Sequence, residues 1–250
     1  MKRIITSIIL GGTVLAASVA GARDIHFSSG LIQSQFKELS KEAGAALAYR
    51  NAAPAAPLGI TGFDIGAEVS FIDIKKESEY WKAALNNDAP SYLYFPSLRV
   101  RKGLPFGIDV GARYSYVPDS NVKLYGFEMS KALLEGTAVT PALGVRASYT
   151  KLAGVNDLDL QTVALDANIS KGFAIITPYA GAGMVWVDSK ARGALGDGSL
   201  PGGVRLGEEK LWLPRGFAGA RLTILPFVKV TGEVEYAVRP IYTLKAAVDF

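Results

Sequence analysis

The chain has 250 residues, 49% of them hydrophobic, with a formal net charge of +4, one histidine and no cysteine. The missing thiols exclude a disulfide scaffold, a thiolate metal site, a cysteine nucleophile and a lipid-modified amino-terminal cysteine. Setting Lys2 and Arg3 aside lowers the charge to +2, and no clustered Lys/Arg run points to nucleic acid.

Lys2 and Arg3 open the chain, and an apolar stretch from Ile4 to Ala20 is broken by Gly11 and Gly12. Ala20-Gly21-Ala22 then gives the small-x-small pattern that a signal peptidase accepts. Residues 1–22 therefore read as a signal peptide, with a mature chain beginning at Arg23. Beyond them no stretch is apolar over the roughly 20 residues that a membrane-spanning helix needs.

Residues 23–59 read as one amphipathic helix and a linker. Leu31, Ile32, Phe36, Leu39, Ala43, Ala46 and Leu47 recur at helical spacing on one face. Gln33, Gln35, Lys37, Glu38, Lys41 and Glu42 fall largely on the other, and Ser28 or Ser29 is the expected N-cap. Pro54 and Pro57, in an Ala/Pro-rich stretch, end the helix. A helix this short needs a packing partner. The expectation is a lid or plug at the periplasmic rim, with a membrane-surface or partner-binding helix as the alternative.

From residue 60 to 250 the period becomes two. Phe63, Ile65, Ala67, Val69 and Phe71 alternate with Gly62, Asp64, Gly66, Glu68 and Ser70, and equivalent patterns recur to the end of the chain. Alternation over nine to eleven residues exceeds the usual soluble strand of about five or six and suits a tilted strand crossing a bilayer. The segments are 60–74, 91–102, 105–117, 121–132, 139–151, 157–170, 173–188, 211–225, 228–238 and 241–250. The fold class is thus all-β, a closed antiparallel transmembrane β-barrel of about ten strands, with eight or twelve as alternatives. The fourth and sixth segments slip near Tyr125 and Gln161, where a bulge would restore alternation.

Connection lengths sort in part by parity, three of the five odd joins being short as well. The even joins are short or modest, whereas two odd joins, 75–90 and 189–210, are long and polar, as in barrels with short periplasmic turns and long external loops. Phe63, Phe106, Phe227 and Phe250 fall at expected periplasmic strand ends; Tyr92, Tyr116, Tyr149, Trp186 and Trp212 fall near external ends. Rings at both levels match headgroup girdles.

The final segment, from Val234 to Phe250, resembles the last hairpin of the bacterial outer-membrane β-barrel superfamily. Tyr242, Leu244, Val248 and Phe250 match its alternating terminal strand with a closing aromatic. The resemblance implies recognition by the barrel assembly machinery and residence among outer-membrane lipid. A helix ahead of the barrel is also similar to the amino-terminal plugs of larger outer-membrane transporters, including the long-chain fatty-acid transporters, from which no ligand residue carries over.

Alternation also assigns the inward charges. Asp64, Glu68, Asp109, Asp166, Glu233, Glu235 and Asp249 oppose Arg99, Arg101, Arg113, Arg146, Arg215, Arg221, Lys229 and Lys245. A near balance of signs suits a salt-bridged interior better than a charge-selective pore, and ten strands lie near the size that side chains fill. His26 stands four residues into the mature chain and outside any strand, so a histidine-dependent hydrolase is not expected. Neither a cofactor nor a metal is indicated. The expected function is passage or transport of a small solute, hydrophobic solutes and lipid included, with the helix as periplasmic plug. The alternative is a structural or surface-interaction barrel, with Glu79, Tyr80, Trp81 and Leu85 forming a short partner-facing helix.

Overall fold

The computed structural model describes residues 31–75, 77–85, 92–117, 120–198 and 205–250. The expected signal peptide, His26 and the Ser28/Ser29 cap lie outside them. The chain forms α1 (Gln33–Leu47), β1 (Phe63–Asp73), α2 (Glu79–Leu85), β2 (Tyr92–Leu104), β3 (Ile108–Tyr116), β4 (Lys123–Leu134) and β5 (Ala142–Ala153). There follow β6 (Leu158–Ser170), β7 (Ile176–Ala191), α3 (Gly193–Asp197), β8 (Glu209–Leu225), β9 (Val228–Tyr236) and β10 (Pro240–Asp249).

All ten strands pair antiparallel with their sequence neighbours, and β1 pairs with β10 to close the cylinder. The closing seam runs unbroken from Asp64 opposite Asp249 to Ile72 opposite Ile241. Beyond it, Phe63 and Phe250 exchange two backbone hydrogen bonds of 2.7 and 3.0 Å, and their rings lie 5.8 Å apart. The carboxyl-terminal Phe250 thus fastens the two ends of the sheet, leaving no free edge there.

The period of two decides which side each residue faces. Ile65, Phe71, Leu98, Val100, Phe127, Met129, Val145, Leu165, Ile169, Met184, Leu244 and Val248 are exposed on the outside, while their neighbours are buried inside. Phe106, Phe173, Phe227 and Phe250 ring the end with short turns, and Tyr116, Trp212 and Tyr236 stand toward the other. The outer wall is therefore an apolar band edged by aromatic rings, a surface that water does not stabilise and lipid does. Leu165, at the middle of β6 and 57% exposed, tests this directly. Leu165→Arg is expected to cost about 2–4 kcal/mol, while arginine at rim position Phe173 costs at most about 1 kcal/mol. Urea unfolding in phospholipid vesicles measures both, and equal costs would contradict the lipid assignment.

The bulges expected near Tyr125 and Gln161 are absent. Tyr125 pairs in register with Tyr114 and Lys151, and Gln161 with Lys151 and Asp188. Pairing shifts only between Ala132 and Leu134 and between Thr223 and Leu225. What changes near Tyr125 and Gln161 is the chemistry of the inward residues. Leu124 and Leu160 face inward, each 1% exposed, because an apolar partner occupies that end of the bore.

That partner is α1. Its Phe36, Leu39, Ala45, Ala46 and Leu47 pack with Ile72, Phe95, Leu124, Leu152, Leu160, Val185, Val187 and Ile241 from the inner wall. The helix begins at Gln33 behind the N-cap residue Ile32, later than a Ser28 or Ser29 cap would place it. The Ile32 N–H donates instead to Gln35 Oε1 at 3.2 Å.

Candidate functional site

The bore is the site, and residues 31–58 occupy it. At the end bearing the long connections, Gln33 bonds Glu209 at 2.5 Å and the Gly207 N–H at 2.7 Å, and Ser40 bonds Ser189 at 2.9 Å. Glu42 accepts from the Tyr80 hydroxyl and the Trp81 indole, both at 2.7 Å, and from the Lys75 N–H at 3.1 Å. Burial pushes the Tyr80 phenol up to about 12, so it remains a donor to Glu42 across the physiological range. Two expectations change here. The helix lies at the long-connection end rather than the periplasmic rim, because its apolar face fills an apolar upper bore. Trp81 is buried against it, so α2 turns its indole toward α1 and not toward a partner.

Below α1 the chain runs extended through a layer of buried charge. The Leu47 and Ala48 carbonyls accept from Arg113 at 3.2 and 3.3 Å, and the Tyr49 carbonyl accepts from Arg215 at 2.8 Å. The Arg50 carbonyl accepts from Arg99 at 3.0 Å and Arg146 at 3.2 Å. On the donor side, the Ala52 N–H bonds Glu233 at 2.8 Å, the Ala55 N–H bonds Ser170 Oγ at 3.0 Å, and the Leu58 N–H bonds Asp109 at 3.0 Å. An extended segment away from water must have its backbone groups paired. Here guanidinium groups meet the carbonyls, while carboxylates and a hydroxyl meet the amides. Arg50 also bonds the Ala45 carbonyl at 2.9 Å and that of Ala46, closing the end of α1, where helix carbonyls lack internal partners.

The charges around this segment form two connected sets, one at mid-height and one nearer the short turns. Glu128 meets Arg99 and Arg101 at 3.0 Å and Arg146 at 3.5 Å. Glu68 meets Arg99 at 3.3 Å and Arg113 at 3.6 Å. Asp166 joins Arg146 at 2.9 Å and takes two bonds from Arg215, at 2.6 and 2.8 Å. Glu235 binds Arg50 at 2.7 Å and Arg215 at 3.4 Å. Nearer the short turns, Asp64 pairs with Lys245 at 2.6 Å and Arg221 at 3.4 Å, while Asp249 pairs with Arg221 at 3.0 Å and Lys229 at 2.9 Å. Asp109 pairs with Arg101 at 3.0 Å. Glu233 differs, accepting from Tyr179 Oη at 2.9 Å.

Tyr49 stands at the centre of this layer. The guanidinium carbons of Arg99, Arg113 and Arg146 lie 4.7, 4.8 and 5.9 Å from its ring centroid, a cation–π arrangement strengthened by burial. The wall opposite is Gly126, where a Cβ would stand 2.7 Å from the ring. A glycine on β4 therefore makes room for a tyrosine of the inner segment.

Each inward charge assigned from the alternation points into the bore and finds a partner there. The sequence reading did not include Glu128, Arg50, Tyr49 or Tyr179. Glu128 was findable: Leu124, Gly126, Glu128 and Ser130 alternate with the exposed Tyr125, Phe127 and Met129. Arg50 had one signal, a lone charge in an Ala/Pro-rich stretch. Tyr242, Leu244, Val248 and Phe250 are exposed on the outer wall of β10 and its end. Among the described residues, no group of three or more His, Cys, Asp or Glu side chains is placed to hold a metal.

What space remains is small. The cavity beside Asn51, Pro54, Arg101, Arg146 and Asn168 measures about 10 Å³, at most enough for one water. A recess of about 400 Å³ opens at the short-turn end between Pro57, Leu58, Leu104 and Phe106. Two further hollows, about 830 and 760 Å³, are lined mostly by outward side chains such as Met129, Leu165 and Trp212 in one and Leu98, Tyr114 and Phe127 in the other.

An apolar outer wall around a charged interior, closed without an edge, satisfies every backbone group within lipid. The fold is that of a bacterial outer-membrane β-barrel. Its outer surface is that of a barrel seated in a lipid bilayer. No protein-family model matches the chain, and no curated protein matches it. Among solved structures it is similar to the outer-membrane protein OprG of Pseudomonas aeruginosa, at 12% identity and a TM-score of 0.39, covering 79% of this chain and 99% of that one. It is likewise similar to the amino-terminal barrel domain of Pseudomonas aeruginosa OprF, at 14% identity and TM-score 0.37, covering 77% and 99%. The KdgM porin gives 10% identity and TM-score 0.37, covering 75% and 99%.

Proposed function

We propose that this outer-membrane barrel is a plugged small-solute passage, held shut by residues 31–58 and conducting only when that segment shifts. The supporting observation is the path of the segment, which occupies the bore from the Gln33 contact with Glu209 to the Leu58 contact with Asp109. Once vacated, the middle and lower bore would present Arg99, Arg113, Arg146, Arg215, Glu128 and Glu233, groups that hydrate readily. That chemistry suits a small polar or charged solute, not the apolar one considered from sequence. In this reading residues 1–22 direct export, and the outward Tyr242, Leu244, Val248 and Phe250 present the assembly signal to the barrel assembly machinery.

A second reading is a sealed structural barrel. It is favoured by the number of buried ion pairs that share carboxylates with one another, since moving the segment exposes several of them together.

The Ser40–Ser189 contact separates the two. Their Oγ atoms lie 2.9 Å apart and the chain has no other thiol once both are made cysteine. The full-length S40C/S189C variant, oxidised, ties α1 to β7. In planar bilayers the reduced protein is expected to show discrete openings that oxidation abolishes and reductant restores. Silence in both states would favour the sealed barrel. Current that persists after confirmed oxidation would refute gating by this segment.

A further inference from the structure

We propose that the bore carries residues 31–58 through to the outer face, so that α1 forms part of the external surface. This goes beyond the gating reading and does not depend on whether the bore conducts.

The contacts give the segment a direction. Phe63 pairs with Phe250 at the short-turn end, where the connections are 105–107, 135–141, 171–175 and 226–227. Moving back along the chain, Leu58 meets Asp109 at the start of β3, and Ala55 meets Ser170 at the last residue of β6, both still at this end. Ala52 and Tyr49 meet Glu233 and Arg215 at mid-height. Ser40 then meets Ser189 near the end of β7, and Gln33 meets Gly207 in the connection between β7 and β8 and Glu209 at the start of β8. The segment crosses the whole membrane thickness once, and Leu31 lies at the end opposite Phe250.

Which end is outside follows from the connections. Long connections lie on the external side of outer-membrane barrels and short turns on the periplasmic side. The two longest here, 74–91 and 192–208, share the α1 end. The helix also divides its surface accordingly: Phe36, Leu39 and Leu47 are buried in the bore, whereas Ile32, Gln33, Ser34, Lys37 and Glu38 are exposed. Through Glu42 it holds α2, and through Gln33 it holds residues 207–209. Helix and loops therefore make one composite outer surface. The barrel both anchors and displays its amino-terminal part.

Single cysteines test this in the full chain, which has none of its own. K37C lies on the exposed face of α1, K210C is exposed at the long-connection end, and A138C is exposed in the turn between β4 and β5. A membrane-impermeant maleimide added to intact cells should modify K37C and K210C fully. A138C should remain unmodified until the cells are opened. Protection of K37C in intact cells, with or without protection of K210C, overturns the proposal, as does modification of A138C. None of these outcomes bears on conductance, so failure here is distinct from failure of the gating reading.

Discussion

Replacing Glu128 by alanine is expected to destabilise the barrel by about 3–5 kcal/mol, the range for removing one partner from a buried ion pair. Glu128 is buried and receives Arg99, Arg101 and Arg146. Arg99 keeps Glu68 and Arg146 keeps Asp166, but both lose one of their two carboxylates, and Arg101 retains only Asp109. Arg99 and Arg146, two of the three guanidinium groups around the Tyr49 ring, then stand closer to net repulsion. Glu128→Gln preserves volume and some hydrogen bonding but not charge, so it should recover little of the loss. Urea unfolding of refolded protein in detergent micelles, followed by tryptophan fluorescence, measures the difference. A loss below about 1 kcal/mol, typical of exposed pairs, would mean that water reaches this layer and that the bore is not sealed by packing.

The same residue shows where the sequence was readable. Strand number, closing seam and outer face all follow from the period of two, because lipid on one side and a packed bore on the other impose opposite demands on successive residues. The charged half of the bore was readable for that reason. Its apolar half was not. Leu124, Leu160, Val185 and Val187 face inward against α1, and with apolar residues on both faces the alternation loses its contrast. The apparent slips at Tyr125 and Gln161 were changes of partner, not of register.

The position of α1 was harder to read, since no local pattern says which mouth of a barrel a preceding helix fills. One length did carry the information. Residues 48–62 separate α1 from β1, and an extended chain covers about 3.3 Å per residue, enough to cross a hydrocarbon core of about 30 Å. A helix at the near rim would not need such a linker. Arg50 within it, buried and bonded to Glu235, is the residue whose charge makes sense only inside the bore.

Leu39→Asp is expected to release α1 while leaving the cylinder intact. Leu39 is buried among the apolar side chains of the upper bore, so the change forfeits about 1.5–3 kcal/mol of apolar burial. It also sets a carboxylate in a region where an unpaired charge costs several kcal/mol. The ten strands take their pairing from one another and their outer stabilisation from lipid, and neither involves Leu39. Trypsin should then cut after Arg50, which is buried in the unaltered protein, and leave a resistant fragment beginning in the linker, with its β circular dichroism retained. Continued protection of Arg50 would mean that the charged layer alone holds the segment. Digestion of the strands together with the helix would mean that the cylinder needs its filling in order to stay closed, which would weigh against any opening by displacement of residues 31–58.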